Sequence, residues 1–266
     1  ELKSLIDKLT NEDLVTPLKN NLDRIKKFKD DKTTFYMFGL LIKYLFSCLI
    51  DADRQDTADF QMPMGKMRRL NNEYIDWTSL IERLENYISK FQIRNKIDSL
   101  RTEISNSCKI AAKANNDIFQ LTVPTGGGKT LSSLRFALHH AKENKMDRII
   151  YVVPFNTIID QNAQEIRDIL ETNEEFGTVV LEHHSNLTED EETPTTKLLS
   201  ENWDAPIIFT SMVQLLDTLF AGGTRSVRRM HQLANSIIIF DEIQTLGVKF
   251  IYLFNMAMQF LQESEF

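Results

Sequence analysis

Three consecutive glycines, Gly126, Gly127 and Gly128, run directly into Lys129 and Thr130, and Pro124 and Thr125 precede them. These residue types in this order suit a nucleoside triphosphate. Glycines let the backbone come close to phosphate oxygens and adopt the positive φ angles that turn N–H groups inward. A helical pattern starts near Lys129, so a helix dipole would aim its positive end at the same anion. Lys129 would reach the β and γ phosphates, and the Thr130 hydroxyl would bind Mg²⁺. Position 123, where the simplest form of this loop has its first glycine, is Val123.

A second group of chemistry-bearing residues closes the run Ser236-Ile-Ile-Ile-Phe-Asp-Glu-Ile-Gln244. A buried strand ending in two acids would hold Mg²⁺ on Asp241. It would leave Glu242 to polarise an attacking water as general base. Between the two groups, Pro154, Phe155, Asn156, Thr157 and Gln161 leave one apolar run and enter a helical pattern. Thr210 and Ser211 repeat that layout. Free N–H donors, hydroxyls and amides at such places can grip the phosphates of a nucleic-acid strand. The alternative is ordinary helix capping by Asn156 or Thr210. His183-His184 lacks further metal ligands nearby in sequence and reads as polar residues at a strand end. Arg225, Arg228 and Arg229 read as a solvated basic face or as a phosphate-contact patch.

The elements that must position these residues follow from periodicity. Up to about Ala114 the chain reads as helices: Asn20 to Phe28, Thr33 to Ile50, Trp77 to Phe91 and Gln92 to Ala114. Met62 to Gly65 reads as a loop. Beyond Asn115, strands alternate with helices. Strands are expected at Ile118–Val123, Arg148–Val153, Thr178–Leu181, Pro206–Thr210 and Ser236–Phe240. Helices are expected at Lys129–Glu143, Thr157–Leu170, Met212–Phe220 and Lys249–Gln262. An acidic loop is expected over Thr188–Thr196. Alternation of this kind predicts an α/β fold with a parallel sheet and helices on both faces.

Bulk properties set the outer limits. The 266 residues can form one large or two modest domains, and 42% hydrophobic with 26% charged residues is an ordinary globular balance. A net charge of −7 excludes a wholly basic nucleic-acid coat and leaves room for a local basic groove. Cys48 and Cys108 form no close pair and read as buried small apolar residues. No membrane span or signal peptide is expected, and the expected location is cytoplasmic. The chain begins at Glu1 and stops at Phe266 inside an amphipathic pattern, which suggests a piece of something longer.

The form Pro-Thr-Gly-x-Gly-Lys-Thr is typical of superfamily 2 helicases, and further stretches narrow the resemblance. These are Tyr151-Val-Val-Pro-Phe-Asn-Thr-Ile-Ile-Asp-Gln161, Glu182-His-His-Ser-Asn186 and Asp241-Glu-Ile-Gln244. With the phosphate loop, they resemble the helicase-nuclease of type I CRISPR systems, a superfamily 2 helicase fused to an HD-type nuclease. Upstream, Leu45 to Thr57 looks like the last helix of that nuclease, and its Ala-Asp-Arg element maps the final metal-ligand aspartate onto Asp53. The resemblance implies an all-α remainder of an HD-type domain at 1–90 and a first RecA-like ATP-binding domain at 91–266. It implies ATP and Mg²⁺ held by Thr125 to Thr130 and Asp241, with a divalent transition metal in a complete HD domain. It implies single-stranded DNA as track and a CRISPR surveillance complex as partner.

The sequence departs from that family in three respects. All five histidines lie beyond the phosphate loop, so the other HD ligands are absent. The Ser/Thr-Ala-Thr motif and second RecA-like domain are also absent, so the chain alone is expected to be inactive. Arg101 matches the arginine of an adenine-reading Arg-x-x-Gln element, but Ile104 stands where the glutamine would be. Two other readings remain at this point: a P-loop switch that regulates a partner, and the motor subunit of a restriction enzyme.

Overall fold

The computed structural model describes residues 12–28, 30–61, 74–114, 118–124, 126–175, 177–184 and 199–263. Four strands form one all-parallel sheet: β1 (Arg148–Val153), β2 (Val180–His183), β3 (Ile207–Ser211) and β4 (Ser236–Phe240). Their order is β2-β3-β1-β4. Ile149 of β1 stands level with Ile207 of β3 and Ile237 of β4, and that register holds along both pairs. Every residue of β1 is buried. Such a strand needs apolar cover on both faces, and its alternating side chains divide the core in two.

One face presents Ile149, Tyr151, Val153, Ile207 and Phe209. It is covered by α3 (Trp77–Ser89), α5 (Lys129–Asn144) and α6 (Asn156–Leu170). Tyr151 and Phe209 lie parallel there, with ring centroids 4.6 Å apart. The other face presents Ile150, Val152 and Ile208. Its cover is α1 (Glu12–Ile25), α2 (Asp31–Gln61), α7 (Met212–Phe220) and α9 (Val248–Glu263). Further helices are α4 (Lys96–Ala111) and the single-turn α8 (Thr224–Val227). The fold is α/β, with a RecA-like parallel sheet between two helical layers. The expected boundary at 90/91 falls just after α3, whose Leu80, Ile81 and Leu84 share a core with α5 and α6.

Four strands and the helices between them lie within a few residues of their expected positions. The strand expected at Ile118–Val123 is a correction: that segment runs as irregular chain outside the sheet. Ile118 is 80% exposed, and Phe119 finds cover edge-on against Phe136 and His140 of α5. A short apolar run has the same local pattern whether or not a strand edge is available to it. Among the described residues, only β1 pairs with β4. The loops expected at Met62–Gly65 and over Thr188–Thr196 fall outside the described residues.

Helix α2 brings three more corrections. It continues eleven residues past the expected end at Ile50, because Asp51 does not face water. The Asp51 carboxylate accepts from Arg228 Nε at 2.6 Å, from Gln55 at 2.6 Å and from Asn202 at 3.4 Å. Residues 31–60 are also long and apolar enough to cross a membrane by length and composition, contrary to expectation. Here the helix instead lays Met37, Leu40, Leu41 and Tyr44 against the sheet's helical layer and pairs a buried carboxylate with a buried guanidinium. Its outer face carries Ile42, Leu49 and Cys48, so Cys48 is exposed and not buried.

Polar clamps fix α3 and α4 to the sheet side. Arg83 forms a forked pair with Glu175, at 2.6 and 3.0 Å. Glu85 takes Arg135 at 2.7 and 2.8 Å, His139 at 3.0 Å and Lys109 at 3.1 Å. Burial pushes the Glu85 carboxyl up, but the hydrogen bonds from Arg135, His139 and Lys109 outweigh it and hold the pKa down to about 2. A depressed carboxyl pKa stabilises the fold above the unfolded value and loses that contribution as pH falls. Acid unfolding followed by circular dichroism should therefore show Glu85→Gln losing its deficit relative to wild type between about pH 4.5 and pH 2. Removing the cation from a buried pair leaves an uncompensated charge, so Arg228→Ala should cost about 3 kcal/mol in urea unfolding. An unchanged urea midpoint would show that Asn202 and Gln55 suffice for Asp51.

Candidate nucleotide site and nucleic-acid interface

The glycine turn enters α5 through three different constraints. Gly126 and Gly128 both sit at φ 78°, in the left-handed region that side chains disfavour. Gly127 is required for space, since a Cβ there would stand 2.2 Å from Val123 Cγ1 and 2.9 Å from the Pro124 carbonyl. The turn is closed by Gly127 N–H donating to Pro124 O at 3.0 Å. Val123, which replaces the usual first glycine, thus packs into the space that Gly127 leaves. Gly128 caps α5 without a side-chain hydrogen bond, so the helix N-terminus is open to an anion. Thr125 lies outside the described residues.

The sheet brings the second group to this turn. β4 ends at Phe240, and Asp241 N–H donates to Val152 O at 3.0 Å, which holds the acidic pair at the carboxyl end of β1 and β4. Lys129 Nζ lies 3.3 Å from Glu242 Oε1, across 113 residues of sequence. Glu242 has φ 52°, uncommon for a residue with a side chain, and opens a short 3₁₀ turn. Gln244 and Lys129 both donate to its carboxylate and lower its pKa. Arg101 of α4 reaches the same place, its Nε donating to Gly126 O at 2.9 Å. The residues fit a Mg²⁺-bound triphosphate. The glycine cradle and helix end suit the phosphates, Lys129 would supply a cation, and Thr130 and Asp241 would offer hard oxygen ligands.

Residues expected to meet nucleic acid divide into two groups. Phe155 is 59% exposed and takes the N-cap position of α6 without a side-chain hydrogen bond. Thr157 and Gln161 are exposed in the first turns, and Pro154 and Asn156 are half-buried. Capping by Asn156 is therefore not what starts this helix. Thr210 is fully buried and donates to His183 O at 3.0 Å, tying β3 to β2. Ser211 is also buried and caps α7 by accepting from Gln214 N–H at 3.3 Å. Asp53 is exposed on α2. The arginine cluster is a solvated face only at Arg225, which is exposed, and the other two members are a further correction. Arg228 and Arg229 are buried, Arg228 on Asp51 and Arg229 on the Ser200 carbonyl at 3.2 Å. Burial, with Arg225 and Arg228 nearby, lowers the Arg229 pKa to about 10. Burial also lowers the His183 pKa to about 3, helped by Arg229, so this imidazole is neutral at ordinary pH.

Residues 102–265, more than half of the chain, match the DEAD/DEAH box helicase family. The chain belongs to the DEAD/DEAH box helicases. That membership implies an ATP hydrolase that works with Mg²⁺ and binds nucleic acid. The chain is also similar to a CRISPR-associated nuclease/helicase Cas3 of Haloferax volcanii, 27% identical over 203 residues. The match covers 62% of this chain and 21% of that protein, so the chain spans about a fifth of its relative's length.

Sequence reasoning missed the residues that act through long-range contact. Glu85 and Asp51 are single acids in helical patterns, and nothing local marks them as hubs. Arg101 was found by motif, yet its contact with Gly126 O was not foreseeable. For this helicase domain, the Lys129–Glu242 contact has a consequence for Glu242→Gln. Nucleotide must take Lys129 from Glu242, so a neutral amide should leave ATP affinity equal or tighter by calorimetry. In the full-length gene product, ATP turnover should fall at least about a hundredfold if Glu242 acts as general base.

Proposed function

We propose that this chain is the first motor domain of an ATP-driven translocase on single-stranded DNA, part of a larger helicase-nuclease acting in CRISPR defence in the cytoplasm. The observation that carries the reading is the meeting of Lys129 and Glu242 at 3.3 Å, at the carboxyl ends of a parallel sheet. One cradle there can hold the triphosphate, while the other strand ends face the track. In this reading Gly126 to Thr130 bind the phosphates, and Asp241 and Thr130 hold Mg²⁺. Glu242 takes the proton of the attacking water, and Arg101 lies beside the loop on the nucleotide side. Thr125 belongs to the same loop.

Phe155 and the uncapped first turn of α6 are the strongest candidates for DNA contact, with Pro154, Asn156, Thr157 and Gln161. Aromatic stacking and N–H donation to phosphate need no particular base. Thr210 and Ser211 contribute by fixing the ends of β3 and α7 beside them. The CRISPR assignment rests on the similarity to the Haloferax protein, and the nuclease on the likeness of Leu45 to Thr57 to an HD helix. Asp53 would give that nuclease one carboxylate. A catalytic site for a divalent transition metal there needs imidazoles from elsewhere.

ATP turnover by the full-length gene product, measured with and without single-stranded DNA, tests the motor reading. DNA should raise the rate, and Lys129→Ala should abolish that rate and weaken ATP binding at least about tenfold, as expected for a lost charge-assisted contact. Nucleotide binding without DNA stimulation would favour a regulatory switch instead.

A further inference from the structure

His184 has one ligand-bearing neighbour close in sequence, Glu182, and the fold adds a second, Asp160. Its imidazole, on a residue 7% exposed, points Nε2 at Asp160 Oδ1 at 2.7 Å. Asp160 stands in the second turn of α6, and Glu182 lies two residues before His184 at the end of β2. One ligand atom from each of Asp160, Glu182 and His184 lies within 4.8 Å of the other two. We propose that these three residues form a binding site for a divalent first-row transition ion, Zn²⁺ in the first instance.

The donor set decides the class of ion. One imidazole with two carboxylates suits zinc or manganese, whereas Mg²⁺ and Ca²⁺ prefer oxygen alone. The geometry is close to what a bound ion needs. Ligand atoms about 2.1 Å from one ion lie at most about 4.2 Å apart, so small side-chain shifts bring the three into range. Access comes through Asp160, whose side chain is 58% exposed, while His184 forms the buried wall.

Charge is consistent with a cation. Arg167 Nη2 holds Glu182 Oε1 at 2.6 Å, and its Nε also faces Glu171 at 3.4 Å. One guanidinium therefore serves two carboxylates, and the Asp160 carboxylate stands beside His184 as a further anionic ligand. The Arg167 contact orients Glu182 as an outer partner orients a metal-ligating carboxylate. An ion here would tie α6 to the end of β2. It would thus fix the helix whose first turn carries Phe155 and Thr157.

Calorimetric titration of metal-stripped protein with ZnCl₂, in excess Mg²⁺ to fill the nucleotide site, tests the proposal. Wild type should bind one equivalent of Zn²⁺ saturably. Asp160→Asn, at an exposed position, and Glu182→Gln should each weaken that binding at least about tenfold, and His184→Gln should abolish it. Zn²⁺ should also raise the melting temperature of wild type and not of Asp160→Asn, which keeps the test valid if the His184 variant folds poorly. Absence of saturable Zn²⁺ binding would overturn the site. So would Zn²⁺ binding unchanged in Asp160→Asn, and His184–Asp160 would then be only a polar contact between α6 and β2.

Discussion

The structure depends on β1 being buried on both faces and paired along both edges. A strand in that position cannot carry a polar side chain at low cost, and its sequence Arg-Ile-Ile-Tyr-Val-Val is almost wholly apolar. Its one charged residue, Arg148, reaches out from the amino end towards the Trp203 carbonyl at 3.4 Å. Because β1 must be covered twice, the helices divide between two layers. Parallel pairing then brings the ends of β1, β3 and β4 to one rim. The glycine turn, the acidic pair and the first turn of α6 can meet only there.

That rim gathers groups that would be costly elsewhere. Glu242 takes a left-handed backbone angle, and Gly126 and Gly128 take the same region with less strain. Neighbouring order holds these residues in place. Asp241 N–H is pinned to Val152 O, and Gly127 fits under Val123. Lys129 and Glu242 neutralise each other across the rim. In the proposed reading, a nucleotide that took Lys129 would free the Glu242 carboxylate.

The amino-terminal helices take part in the same core. α1 and α2 lie against α7 and α9, and α3 lies against α5 and α6. Two buried or half-buried acids fasten them, Asp51 through Arg228 and Glu85 through Arg135. The Glu85 cluster bears on α5, the helix that begins at the phosphate loop. α3 and α4 are thus joined to α5 by side chains at Arg135 and His139.

Much of this was legible in the residues themselves. Periodicity located four strands and the helices around them, because burial on one or two faces leaves a local trace in residue order. The glycine turn and the acidic pair stood out because their residue types are uncommon in this spacing, and the sheet brings Lys129 to 3.3 Å from Glu242. Ile118–Val123 was misread because apolar composition records the need for cover and not its source, and Phe119 takes that cover from α5. Arg228 and Arg229 were misread because a charge is expected to face water unless a partner is known. Asp51, the partner of Arg228, lies 177 residues away. The sequence by itself determined the fold class and the nucleotide chemistry, since both follow from short-range order. Only the tertiary structure decided which charges are buried in pairs and that Thr210 serves the sheet. It alone placed Asp160 beside Glu182 and His184, because contacts between distant elements leave no periodic mark on the chain.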